Sequence, residues 1–150
     1  MTENNAVEIL IVEDTPQDLE LTMRALRKAN VTNRIQVAHD GAEAIEFIFG
    51  EGVHAGRKIE DAPKVILLDL KLPKIDGIEV LRRIKGDPRT KTIPVVVLTS
   101  SREQKDVVES YRLGVNSYIV KPVNFERFVS AVQELGMYWL LLNQPPKMDG

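Results

Sequence analysis

Val65-Ile66-Leu67-Leu68-Asp69-Leu70-Lys71-Leu72-Pro73-Lys74-Ile75-Asp76-Gly77 is the stretch on which the fold turns. Four apolar residues run directly into Asp69, a Pro-containing loop follows, and Asp76-Gly77 opens the next segment. A continuous aliphatic run bounded by turn residues predicts a strand buried on both faces. Asp69 then stands where that strand leaves the sheet. In an open α/β sheet this carboxyl edge is where ligands bind. A carboxylate placed there can act as a nucleophile, a metal ligand, or both.

The flanking sequence repeats the pattern. Ile9-Leu10-Ile11-Val12 is a second buried-type strand, ending in Glu13-Asp14. Thr15 and Pro16 follow as cap and first helical residue, with Leu19, Met23 and Leu26 as the apolar stripe of a helix ending near Asn30. Arg34–Ala38 alternates polar and apolar residues and predicts a half-exposed strand. Asp40 and Glu43 match a capping box, with Ala42, Ile45, Ile48 and Phe49 forming the helix face behind it. A long polar loop, Gly50 to Pro63, precedes the Val65 strand. Asp76 with Glu79, and Ser101 with Gln104, match further capping boxes. The first of these opens a helix faced by Val80, Leu81 and Ile84, the second one faced by Val107, Val108 and Tyr111. Between them Ile93–Leu98 is a third buried-type strand, ending in Thr99. Ser117–Val120 is a short strand ending in Lys121-Pro122. Asn124 caps a last helix carrying Phe125, Phe128, Val129, Val132 and Leu135, and the tail from Gln144 is non-helical.

Five β-α units in succession predict a doubly wound parallel sheet, (βα)5, with right-handed crossovers. The alternating second strand and the short fifth strand suit the edges. The order 2-1-3-4-5, shared with flavodoxin-like folds, meets that demand and puts the switch point between strands one and three. Glu13, Asp14 and Asp69 then meet in one crevice.

The 150 residues fit one domain, and at 43% hydrophobic and 28% charged the chain is an ordinary globular one. A net charge of -2 supplies no bulk drive toward nucleic acid or an anionic membrane. The absence of cysteine excludes disulfides, thiolate catalysis and sulfur-bound zinc. The N-terminus lacks a secretory signal pattern, and Leu135 to Leu142 is too short to span a bilayer, so a cytoplasmic location is expected.

Three carboxylates in one crevice repel one another, and hard oxygen donors select magnesium or a similar cation. His39 and His54 stand apart from each other and read as solvated side chains. Thr99 adds a hydroxyl and Lys121 an ammonium from neighbouring strand ends. The set suits phosphoryl transfer to a carboxylate, with Asp69 as in-line nucleophile and the cations neutralising phosphoryl oxygens.

With Glu13-Asp14, Asp69 in Leu-Leu-Asp-Leu-Lys-Leu-Pro, Asp76-Gly77, Thr99-Ser100 and Lys121-Pro122 in order, the chain from Glu8 to about Leu135 resembles the response-regulator receiver family of two-component signalling. The resemblance implies that Asp69 is the phosphoacceptor, Asp14 a direct magnesium ligand, Glu13 a ligand through water, and the Lys71 carbonyl a third protein ligand. It implies that Thr99 moves toward the phosphoryl group, that Tyr118 is the switch aromatic, that Lys121 pairs with phosphate, and that the Lys121-Pro122 peptide is cis. Lys71 departs from the asparagine that many receivers carry. The long loop and the end Tyr138-Trp139-Leu140-Leu141-Leu142-Asn143-Gln144-Pro145-Pro146 resemble the small regulators paired with cyanobacterial-type phytochromes, which have no output domain.

The resulting expectation is a single receiver domain over 1–150 with an extended C-terminal helix. It is a phosphoacceptor switch rather than an enzyme, served by a histidine kinase that includes the phytochrome type among its candidates. Tyr138, Trp139 and Leu140 to Leu142 suit either self-packing or a homodimer contact. Three competing readings are weaker. An FMN carrier needs a Ser/Thr/Gly-rich phosphate loop where Glu13-Asp14 stands. An unphosphorylated adaptor has no need of the full acidic set. A metal-dependent phosphatase wants a second aspartate where Lys71 stands.

Overall fold

In a computed structural model, which describes residues 7–28, 34–121, 126–128 and 130, the chain alternates strands and helices as expected. Strands β1 (Ile9–Val12), β2 (Ile35–Ala38), β3 (Val65–Leu68), β4 (Val95–Thr99) and β5 (Ser117–Val120) are joined by helices α1 (Pro16–Lys28), α2 (Gly41–Phe49), α3 (Gly77–Gly86) and α4 (Gln104–Leu113). A further helical stretch follows at 126–128. All pairings are parallel and the order is β2-β1-β3-β4-β5. The expected helix end near Asn30 and cap at Asn124 lie outside the described residues. So do Phe125, Val129, Val132, Leu135, the Tyr138–Leu142 segment and the tail.

The aliphatic runs are buried on both faces because each face meets helices. Leu10, Val12, Ile66, Leu68, Val95 and Val97 pack against α2 and α3 through Ala44, Ile45, Phe47, Ile48, Val80, Leu81 and Ile84. The alternate residues Ile9, Ile11, Val65, Leu67, Val96, Leu98 and Ile119 meet Leu26 of α1 and Phe128. Each such fully buried aliphatic or aromatic side chain contributes about 1.5–3 kcal/mol, so the sheet is anchored on both faces. Strand β4 begins at Val95 rather than Ile93. Pro94 lies outside the strand, yet its carbonyl still accepts the Ile66 N–H at 2.9 Å.

Three local expectations are corrected. Asp40 caps α2 by accepting from the Glu43 N–H, but Glu43 reaches back one residue further, to the His39 N–H at 2.9 Å. Asp76 caps α3 through the Ile78 N–H, while Glu79 pairs with Arg82 and Arg83 instead of closing a box. Glu103, with no side-chain cap bond, precedes α4, and Ser101 serves the loop before it. The apolar face expected on α4 also differs. Val108 is 46% and Tyr111 51% exposed, whereas Val107 and Leu113 pack on the core and Ser110 is fully buried.

The long Gly50–Pro63 loop is held by Arg57. Its guanidinium lies 3.8 Å from the centroid of the Phe47 ring and donates to the carbonyls of Phe47 and Asp61. His54 meets the same ring edge-on at 5.0 Å.

The β3–α3 loop is fixed by close approach. Gly77 donates to the Leu70 carbonyl at 2.9 Å, and a Cβ at Gly77 would overlap the Asp69 carbonyl. A Cβ at Gly41 would likewise overlap the Ile75 carbonyl. Lys74, the one non-glycine residue with positive φ (68°) among those described, ion-pairs with Asp40 at 3.5 Å. Gly77→Ala should therefore cost about 2–3 kcal/mol in urea unfolding. Gly86→Ala, where an added methyl meets nothing within 4 Å, should be neutral or stabilising by up to about 1 kcal/mol.

Candidate functional site

The parallel register brings the strand ends to one height. Val12 pairs with Leu68 and Thr99 with Val120, so the residues that follow each strand emerge along the same edge. The Asp69 N–H donates to the Val12 carbonyl at 3.1 Å, and the Lys121 N–H to the Thr99 carbonyl at 2.8 Å. These bonds extend the ladder one residue past the strands and aim the chemistry-bearing side chains into a common crevice. Carboxylate oxygens of Glu13, Asp14 and Asp69 lie within 4.8 Å of one another. Glu13 and Asp69 are buried, and Asp14 is exposed at the mouth.

Lys121 reaches into this group. Its Nζ donates to Glu13 Oε1 at 2.6 Å, Asp69 Oδ2 at 3.0 Å and Asp18 Oδ2 at 3.0 Å. The lysine side chain is only 8% exposed. Burial by itself pulls its pKa down, but the bonds it donates to Glu13 and Asp69 override that and hold the ammonium charged well above the ordinary lysine range. Glu13 is pushed up to about 7, first by burial, with the Asp69 charge adding to the rise and the Lys121 bond opposing it. One ammonium therefore does not balance the carboxylates. All three cluster donors are hard oxygens, and such a set fits a magnesium-class cation.

The remaining expected residues surround this centre. The Lys71 N–H donates to Asp69 Oδ1 at 3.2 Å, while its side chain turns to Asp106 Oδ2 at 3.7 Å. Thr99 is fully buried, and its Oγ1 accepts the Ser101 N–H at 3.3 Å. Tyr118 is turned inward, its hydroxyl donating to the Ser101 carbonyl at 3.0 Å, with its pKa raised chiefly by burial. The structure thus gathers Glu13, Asp14, Asp69 and Lys121 directly, with Lys71 joined to Asp69 through its backbone N–H, Thr99 buried beside Lys121 on the neighbouring strand, and Tyr118 linked to Thr99 through Ser101.

Two residues were missed. Asp18 stands one turn into α1, four residues after Asp14, where an acidic residue reads as an ordinary first-turn charge. Asp106 has the same disguise in α4. The position that an FMN phosphate loop would occupy, after β1, holds the buried Glu13 instead.

The family description "response regulator receiver domain" matches residues 9–133. Among relatives, the probable methanogenesis regulatory protein FilR2 of Methanothrix harundinacea is 43% identical over 139 residues, 92% of this chain and 86% of its own. Response regulator Rcp1 of Synechocystis sp. is 40% identical over 132 residues, 88% of each chain. A crystal structure of its Mn(2+)-bound form aligns with a TM-score of 0.73 at 36% identity, covering 95% of this chain and 99% of that one. The structure of the bacteriophytochrome response regulator AtBRR aligns with a TM-score of 0.81 at 51% identity, covering 93% and 99%. This chain belongs to the response regulator receiver family, and it is similar to the phytochrome-associated regulators within it. No helix among the described residues is long and apolar enough to cross a membrane.

Because Lys121 is the shared partner of buried carboxylates, Lys121→Met should destabilise the protein in EDTA by about 3 kcal/mol. Millimolar magnesium should restore part of that loss, read as the shift in the urea midpoint.

Proposed function

We propose that this receiver domain is a phosphoacceptor switch that takes a phosphoryl group onto Asp69 from a histidine kinase. The observation that carries the reading is the Lys121 ammonium set between Asp69 and Glu13 at 3.0 and 2.6 Å, beside the three-carboxylate cluster. Such an arrangement supplies what phosphoryl transfer asks of a protein: a fixed nucleophile and positive charge at the equatorial oxygens.

In the step itself a carboxylate oxygen of Asp69 forms a bond to phosphorus as the P–N bond of the kinase phosphohistidine breaks. The imidazole leaves with the electron pair and takes a proton from solvent. Lys121 stays beside the acceptor and shifts its bonds from carboxylate to phosphoryl oxygen. Magnesium, which Glu13, Asp14, Asp69 and the Lys71 carbonyl would hold, supplies the remaining positive charge when bound. Thr99 offers its hydroxyl to the new group, and the Ser101 and Tyr118 bonds to that strand end re-form around it. The chain accelerates its own modification without turning over a substrate, so it is a switch and not an enzyme.

The likeness to Rcp1 and AtBRR supports a sensor kinase of the phytochrome type as phosphodonor. A cytoplasmic setting follows from such a partner. The homodimer contact through Tyr138, Trp139 and Leu140 to Leu142 rests on the sequence, since those residues lie outside the described ones.

Incubation with acetyl phosphate and magnesium should add one phosphoryl group to the intact protein by mass spectrometry. EDTA or Asp69→Asn should abolish the gain. A wild-type protein that neither gains mass nor binds beryllium trifluoride would sink the phosphoacceptor reading.

A further inference from the structure

We propose that Asp106 is a positioning residue for the transfer at Asp69. Its carboxylate is the resting counter-ion of Lys71 and keeps that ammonium away from the acceptor until a phosphoryl group arrives. The inference rests on the phosphoacceptor reading above.

Lys71 is bound to the site at its backbone, through the 3.2 Å bond from its N–H to Asp69 Oδ1. Its side chain has two anionic destinations: the acceptor site or α4. In this structure it takes the second, with Nζ 3.7 Å from Asp106 Oδ2. The two ends of that pair are unequal. The Lys71 side chain is 58% exposed, while that of Asp106 is 14% exposed. Asp106 sits in the first turn of α4, where the helix end favours a negative charge. Its Oδ2 also accepts the Ser101 hydroxyl at 2.5 Å. A largely exposed cation is therefore paired with an anion that is mostly buried and already hydrogen-bonded.

The pairing is weak by design of geometry. A half-exposed pair at the long end of ion-pair distance shifts an equilibrium by only a few-fold. A phosphoryl group on Asp69 brings more than one negative charge and three acceptor oxygens close to the Lys71 backbone. Lys71 then has the stronger partner at the acceptor, and the Asp106 pair gives way.

The consequence does not stop at Lys71. Ser101 is the shared node of the surrounding bonds. Its hydroxyl donates to Asp106, its N–H donates to Thr99 Oγ1, and its carbonyl accepts from Tyr118. Departure of Lys71 leaves Asp106 with the Ser101 hydroxyl and changes the charge at the entry to α4. By linkage, whatever favours departure of Lys71 from Asp106 also favours the phosphoryl group, to the same factor.

The test is a double-mutant cycle read by calorimetric binding of beryllium trifluoride in magnesium, for wild type, Asp106→Asn, Lys71→Met and the double variant. Asparagine keeps an acceptor for Ser101 but removes the charge. Asp106→Asn should bind about two- to fivefold tighter than wild type. Lys71→Met should bind more weakly, and adding Asp106→Asn to it should change nothing. Asp106→Glu, which keeps the anion, should return to wild-type affinity. Equal affinity in wild type and Asp106→Asn overturns the inference, as does the same tightening in the Lys71→Met background or in Asp106→Glu. Absence of binding in wild type, together with no mass gain from acetyl phosphate, overturns the phosphoacceptor reading itself, and is thereby told apart from failure of the Asp106 role alone.

Discussion

The structure depends on keeping buried carboxylates together around one ammonium. Lys121 holds Glu13, Asp18 and Asp69 at hydrogen-bond distance in a crevice where two of those acids have almost no access to water. Removing charges from water costs several kcal/mol per ion, and attraction offsets this only with good geometry. The geometry comes from the sheet. A parallel ladder with Val12 beside Leu68 delivers Glu13 and Asp69 at the same height, and helices on both faces make that height rigid. Glu13 nevertheless remains displaced to about 7. The fold therefore leaves negative charge in the crevice that one ammonium does not balance, a setting that suits a hard cation.

Much of this was legible because it was carried by the simplest signals. Uninterrupted aliphatic runs mark strands covered on both faces, and an acid directly after such a run has only the sheet edge to occupy. Four strand ends could be read this way, through Glu13-Asp14, Asp69, Thr99 and Lys121. Asp18 could not, because nothing distinguishes a first-turn acid that faces a distant lysine from one that merely meets the helix dipole. Asp40 and Asp76 cap their helices as the pattern predicts, but the reciprocal half of each box and the Ser101 box do not form, for a related reason. A short pattern presumes that its two residues have no better partner. Glu79 has two arginines within one turn, and Ser101 stands two residues before Glu103, ahead of the helix start.

The misread face of α4 is more informative. The apolar spacing puts its stripe on Val107, Val108 and Tyr111, but the helix turns so that Val107, Ser110 and Leu113 face inward. Two of the three apolar residues are left largely in water, and the one fully buried position is a serine. Ser110 Oγ is, among the described residues, the buried side-chain atom without a hydrogen-bond partner. An unmet hydroxyl in place of an aliphatic side chain makes a poor anchor.

Compared with α2 and α3, whose inward faces are aliphatic and aromatic, α4 is thus held less by core packing and more by the polar bonds at its N-terminal end. Those bonds pass through Ser101 and Asp106 to Thr99, Tyr118 and Lys71, all of which lie at or beside the acceptor edge. Local stability in a protein follows packed apolar contact, and elements that change position are drawn from its low end. On the phosphoacceptor reading, charge arriving at Asp69 would act on the bonds that fix α4 and not on the packing that fixes the rest. The same asymmetry would let a change at one carboxylate alter a surface without disturbing the sheet that aligns the site.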